Sequence, residues 1–322
     1  MSTILITGGT GLIGTALTGL LLEKGHHVII LSRDAASAGL PATLSPGAVS
    51  KVRWDPSTGT IDADAIRQAD FIVHLAGAGV ADKRWSAKRK TEIEESRTKS
   101  GALLVKALTE MPNKVKAVIS TSGIGWYGAD PAVPNPRPFE ETDPADGAFL
   151  GETCRRWEAA IAPVATLGKR LVIFRVGLAL SDKGGALTEF RKPIRLGTAA
   201  ILGSGRQAVS WIHIDDLCRL YLHAIEREDC SGVFNAVTPQ PVDNRTLTLT
   251  LARILKGRYF VPVYVPSFLL KIIVGEMSIE VLKSTTVSAK KTRSAGFQFI
   301  YPSIDGALTN LFKDRSSGSD LP

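Results

Sequence analysis

The chain has 322 residues, 44% of them apolar and 22% charged, with a formal net charge of +8. That length and composition suffice for one large core or two unequal ones and exclude a largely disordered polymer. The basic excess is localised: from Arg245 onward eleven Lys or Arg face five Asp or Glu, so +6 of the total lies in the last quarter. This stretch lacks the interleaved aromatics of a nucleic-acid stacking platform, and it reads as a solvated basic face that also attracts phosphorylated ligands.

Three cysteines, Cys154, Cys218 and Cys230, show no CxxC spacing. They argue against a disulfide framework or a structural zinc site, and no metal site is expected. The opening MSTILITGG has no basic leader before its short apolar run, and Tyr259 to Gly275 is interrupted by Pro262, Pro266 and Lys271. A cytoplasmic protein without a membrane span is the expectation.

Thr3 to Ile6 form a β-branched apolar run suited to a buried parallel strand. Gly8, Gly11 and Gly14 follow at every third residue, and a helical pattern (Leu12, Ile13, Ala16, Leu17, Leu20, Leu21) then runs to Gly25. A second strand, His27 to Ser32, completes the opening of a βαβ unit. In that context the glycines let a pyrophosphate approach backbone N–H groups at a helix N-terminus, so Gly8, Thr10, Gly11, Leu12 and Ile13 are expected to bind a dinucleotide. The alternative is a plain glycine turn. No Lys-Ser or Lys-Thr pair follows, which excludes a nucleoside triphosphate loop.

At the end of the second strand, Ser32 and Arg33 stand where an NAD-specific site carries an acid. A hydroxyl and a planar guanidinium suit a 2′-phosphate, and NADP(H) is expected over NAD. A solvated loop arginine beside Asp34 is the competing reading. Ala35 to Gly47 read as a loop, Lys51 to Trp54 as a third strand, Asp62 to Gln68 as a helix, and Phe71 to Leu75 as a fourth strand. Leu75, Ala76 and Gly77 at its end are expected either along the dinucleotide or in a tight turn.

A long helix from about Ser86 to Glu110 carries Glu92 and Arg97, which at five residues apart are poor partners on one face and are expected to reach the cofactor pocket. The fifth strand, Val115 to Ser120, runs into TSGIGWYG, where Ser122 is a candidate for the substrate oxygen or a backbone cap. A sixth strand, Arg170 to Arg175, ends at Val176-Gly177 on the same edge. Arg191, Lys192 and Arg195 offer charge to an anion or to solvent. His213 reads as a structural histidine before a helix, with Asp215 or Asp216 as its N-cap. From Ser231 the composition changes, a helix Thr246 to Leu255 follows, and Lys313 to Pro322 read as a frayed tail.

TGGTGLIG, the strand-end LAG, TSGIGWYG, RVG at Arg175 to Gly177 and WIHIDD at Trp211 to Asp216 resemble the extended short-chain dehydrogenase/reductase superfamily. SRTKSGALL, TCRRWEA, WIHIDDL and AGFQFIYP are similar to its "epimerase family protein" branch, which includes SulA-type proteins connected with plastid division. The resemblance implies an α/β fold: a Rossmann-like doubly wound parallel sheet over residues 1–230, with a smaller substrate-side α/β domain over 231–312. It also implies NADP(H) as cofactor, with Arg175 and Gly177 in a loop bordering the nicotinamide.

One departure matters. The superfamily's Tyr-x-x-x-Lys pair, registered on Trp157 and Glu158, falls on Leu150 and Cys154, which cannot donate a proton or acidify a phenol. Ser122 and Tyr127 remain as catalytic hydroxyl candidates, and Tyr127 also reads as a packed residue. Two functions stay open: an NADP(H)-dependent oxidoreductase or nucleotide-sugar epimerase-like enzyme on a small carbonyl or hydroxyl substrate, and a silent NADP(H)-binding scaffold acting through a protein partner.

Overall fold

The N-terminal apolar run seeds the centre of a sheet. The computed structural model describes residues 1–34 and 48–314; the expected loop 35–47 and tail residues 315–322 lie outside them. The strands are β1 (Thr3–Thr7), β2 (His27–Ser32), β3 (Val49–Asp55), β4 (Thr60–Ile61), β5 (Phe71–His74), β6 (Ala117–Gly123) and β7 (Arg170–Val176). They continue as β8 (Leu178–Leu180), β9 (Thr198–Leu202), β10 (Ala208–Val209), β11 (Trp211–His213), β12 (Gly232–Ala236), β13 (Val242–Asp243) and β14 (Val261–Val265). The helices used below are α1 (Leu12–Glu23), α2 (Ala63–Gln68), α3 (Ala87–Glu110), α4 (Phe149–Ile161), α5 (Ala186–Arg195), α6 (Ile214–Glu226), α7 (Asn244–Lys256) and α8 (Ser267–Val274).

Eight strands form one sheet in the order β12-β7-β6-β5-β1-β2-β3-β4, parallel throughout except for the β3–β4 pair. The chain winds outward from β1 in one direction through β2 and β3, then in the other through β5, β6, β7 and β12. The strand order therefore reverses between β1 and β5, and the crevice above their carboxyl ends is where such a Rossmann-like sheet takes a ligand.

Both faces are covered, which is why these strands read as continuous rather than alternating apolar runs. Ile4 and Ile6 pack with Leu17, Leu21, Leu217 and Tyr221 of α1 and α6. Leu5 and Val118 pack on the other face with Leu103, Leu104 and Ile161 of α3 and α4.

Three expectations need correction. β6 runs to Gly123, three residues past the expected Ser120, pairing Ser122 with Arg175 of β7, so Ser122 is held inside the central strand rather than just beyond its end. The division drawn at residue 231 cuts through the main sheet, because β12 pairs parallel with β7 as its outer strand. The smaller lobe is assembled from two stretches: β14 pairs parallel with β9, and α7 packs against both β9 and α5. Lys313, expected in a frayed tail, lies in the last helical turn, Asn310–Asp314. Among the described residues no helix is long and apolar enough to cross a membrane.

Candidate active site

The turn between β1 and α1 is glycine because nothing larger fits. Gly8 has φ +70°, and a Cβ there would lie 2.9 Å from the Leu75 carbonyl carbon. At Gly14 a Cβ would come within 2.4 Å of the Gly8 oxygen and 2.5 Å of the Gly9 Cα. Helix and turn thus pack backbone to backbone.

Gly11 caps α1 without a side chain, and the first turn carries no acid. The Gly11 N–H bonds back to the Gly8 carbonyl at 3.0 Å, while the Leu12 and Ile13 amides lie in the helix's first turn, whose N–H groups have no intrahelical acceptor. This end of α1 is a positive, uncapped pole facing the crevice, with exposed Thr10 beside it.

The neighbouring edge of β5 is held by Thr7. Its Oγ1 accepts from the Leu75 and Ala76 amides, each at 3.2 Å, and shares a 2.7 Å hydrogen bond with His74 Nδ1. His74 is fully buried, and burial pushes its pKa down to about 3, so it is neutral; with Thr7 Oγ1 already accepting from two amides, its hydroxyl proton is the one left to donate to Nδ1.

Behind Gly77 lies Arg97. A Cβ on Gly77 would sit 3.1 Å from the guanidinium carbon, whose Nη1 donates to the Ala78 and Ile93 carbonyls at 3.0 and 2.8 Å. Arg97 is 8% exposed, rests on the Trp157 ring, and among the described residues has no carboxylate within ion-pair distance. Burial lowers its pKa to about 10. It remains a cation at neutral pH, placed where the sheet edge can offer it an anion.

At the far end of the crevice, Ser32 Oγ donates to the Asp34 carbonyl at 2.9 Å, and Arg33 is exposed. Glu92 pairs with Arg89 three residues back at 2.7 Å, and that bond, with Lys83 and Arg33 nearby, holds its carboxyl below the usual range. The helical i, i+3 relation to Arg89 accounts for Glu92 where the spacing to Arg97 could not.

Ser122 is 2% exposed, and its Oγ has no well-formed hydrogen bond. It adjoins the Cys154 thiol, a weak partner. Cys154 itself points to the Gly123 carbonyl at 3.5 Å, and burial raises its pKa. Leu150 packs over Gly125, where an added Cβ would meet the Leu150 Cβ at 3.1 Å. The positions of the superfamily's tyrosine and lysine are thus occupied by an apolar wall and a neutral thiol around an unsatisfied hydroxyl.

Tyr127 is not available for catalysis. Its ring is fully buried against Phe139, its hydroxyl donates to Asn235 Oδ1 at 2.7 Å and accepts from Arg175 Nη1 at 3.1 Å, and burial raises its pKa to about 12. Arg175 is likewise engaged by neighbouring side chains. It makes a two-bond fork with Glu158 at 2.8 and 2.9 Å and stacks on Trp126 with 3.5 Å between guanidinium carbon and ring centre. Gly177 is glycine for packing, since a Cβ would lie 2.6 Å from the Ser210 carbonyl oxygen.

Glu158 and Asn235 were not singled out in the sequence, although Glu158 shares the buried side of α4 with Trp157 and Ile161. His213, not Asp215 or Asp216, caps α6, accepting from the Asp215 amide at 3.0 Å. Asp216 is fully buried and accepts from Arg219 and from the Ile300 and Tyr301 amides. The only sequence signal for that tie is a second acid in an otherwise apolar helix face.

The doubly wound sheet, the Cβ-less turn and the open helix pole define a dinucleotide-binding α/β protein. Residues 4–236 match the NAD dependent epimerase/dehydratase family, to which the chain belongs, and residues 265–311 match a domain of unknown function, DUF1731. The epimerase family protein YfhF of Bacillus subtilis is 33% identical over 98% of this chain and 99% of its own. The crystal structure of human epimerase family protein SDR39U1 (isoform2) with NADPH superposes with TM-score 0.83 at 31% identity, covering 97% of this chain and 99% of that one. A nucleoside-diphosphate sugar epimerase from Corynebacterium glutamicum gives TM-score 0.74 at 30% identity, covering 98% of this chain and 60% of that one.

Proposed function

We propose that this protein binds NADP(H) across the carboxyl edge of the sheet and acts as an oxidoreductase on a small carbonyl or hydroxyl compound. The observation that carries this reading is the acid-free, uncapped pole of α1 over a turn in which a Cβ at Gly8, Gly9 or Gly14 would clash. The Leu12 and Ile13 amides would hold the pyrophosphate, with Arg97 as the buried counter-charge behind Gly77. Ser32 and Arg33 would take the 2′-phosphate. With the adenosine half over β2, the nicotinamide half falls over β5 and β6, beside Ser122. A reduced nicotinamide bound there would supply hydride, and Ser122 Oγ, held among the described residues by nothing stronger than the Cys154 thiol, would hydrogen-bond the reacting oxygen.

Calorimetric titration of the full chain tests the reading. NADPH should bind more tightly than NADH, and no heat from either would end it. A second reading, a cofactor-holding scaffold with a protein partner, is favoured by the apolar surface of α8, where Phe268 and Ile272 are 69% and 65% exposed. Tight NADPH binding with no turnover on any carbonyl would support that alternative.

A further inference from the structure

A second part of the chain reaches the pole of α1. The turn between β8 and α5, Ser181 to Gly185, lies against the first residue of that helix: Cβ atoms added to Gly184 and Gly185 would come within 3.5 and 3.1 Å of the Leu12 side chain. The turn is held from inside. Ser181 and Gly184 form an antiparallel bridge, the buried Ser181 Oγ accepts from the Lys183 amide at 3.2 Å, and Arg191 Nη1 donates to the Asp182 carbonyl at 3.2 Å. Lys183 itself is exposed, makes no salt bridge among the described residues, and lines one cavity with Thr10, Gly11 and Leu12.

Among the described residues two cations line that cavity, Lys183 and Arg219. Arg219 is spent on Asp216 and the Gln298 carbonyl at 2.7 and 3.0 Å, which leaves Lys183. Three acids line it as well. Glu23 ends α1 eleven residues beyond Leu12, about 16 Å away along the axis, whereas Asp215 opens α6 and Asp182 directly precedes Lys183. Those two would repel an anion received by the Leu12 and Ile13 amides. We infer that Lys183 is a ligand of the dinucleotide pyrophosphate, carried to the pole of α1 by the β8–α5 turn and offsetting these acids. The inference rests on the cofactor reading above. A helix pole and an ammonium are like charges, and an anion lying between them turns their repulsion into two attractions. Lysine suits the task as a point charge on a flexible stem, which follows the anion without demanding a fork geometry. Both coenzymes carry the same pyrophosphate, so Lys183 should strengthen them equally, whereas the expected partner of Arg33 is present in NADPH alone.

The test is calorimetric titration of the full chain and its Lys183→Ala and Lys183→Arg variants with NADPH, NADH and ADP-ribose, which has the pyrophosphate but no nicotinamide. Lys183→Ala should weaken all three by a similar factor of about tenfold, and Lys183→Arg, which keeps the charge, by less than about threefold. Added salt should narrow the gap between the parent and Lys183→Ala, as screening removes an exposed charge contact. The inference is overturned if Lys183→Ala leaves the three affinities unmoved, if it weakens NADPH alone, which would move Lys183 to the 2′-phosphate, or if the Ala and Arg variants lose equally. Each of these leaves the cofactor reading intact. A parent protein that binds none of the three removes both.

Discussion

Arg33 and Arg175 show how differently two arginines at strand ends can be used. Arg33 is exposed just beyond β2, in the neighbourhood of the Glu92 carboxylate, and offers its guanidinium to a phosphate. Arg33→Ala should weaken NADPH by about 1.5 to 3 kcal/mol, the worth of a hydrogen bond to a charged group, and leave NADH nearly unchanged. Equal losses for the two coenzymes, read by calorimetry, would remove Arg33 from the 2′-phosphate site. Arg175 is instead a structural cation, its side chain 3% exposed and paired with Glu158 at 10%. Glu158→Gln leaves that charge buried without its counter-ion and should cost about 3 to 5 kcal/mol in urea unfolding. A loss below about 1 kcal/mol would mean that the charge finds water. The first glycines were legible because a local motif demands them. The Arg175, Glu158, Tyr127 and Asn235 network was not, since its members come from four segments that only the folded sheet brings together.

At the scale of elements, the carboxyl end of β5 depends on a neutral histidine. His74 keeps a pKa of about 3 against 6.5 in the unfolded chain. Between those values the unfolded state binds a proton that the folded state refuses. Stability should therefore be undiminished above pH 6.5, fall as pH drops, and level off below pH 3. Between pH 6.5 and 5 the loss is about 2 kcal/mol. His74→Asn, which keeps an acceptor for Thr7, should flatten that segment of the stability profile. An unchanged slope would assign the acid sensitivity elsewhere. Strand and helix order were readable from apolar runs and glycine punctuation, but the end of β6 was not, because the apolar run stops before Thr121 and Ser122 and only pairing with β7 extends the strand through them.

The same scale governs how the C-terminal segment is attached. Asp216 on α6 takes the Ile300 and Tyr301 amides at 2.9 and 2.8 Å, and Asp130 takes Ser284 and Thr286. Two acids from the main sheet's connections thus anchor a segment that arrives late in the chain. Asp216→Ala strands two amides and Arg219, and should cost about 3 kcal/mol or more. Hydrogen exchange should rise first at residues 297–302, and protection there equal to that of the intact protein would show that packing alone holds the segment.

At the scale of the molecule, whether two lobes unfold together is decided by where the core runs. Ile4 and Ile6 of β1, Leu217 of α6, Leu247 and Leu251 of α7, and Leu308 near the C-terminus belong to one buried cluster. A continuous core that crosses the boundary couples the lobes, so loss of either exposes apolar surface on the other. Cofactor bound at the pole of α1 should then stabilise the whole chain. At a free NADPH concentration one hundred times Kd the gain is about 2.7 kcal/mol by mass action. Calorimetric melting should show a single transition moved upward as a unit, by several degrees for a chain of this size. A melt that splits into two steps, with only one responding to NADPH, would mean that the shared cluster is too weak to carry the linkage and that the smaller lobe folds on its own terms.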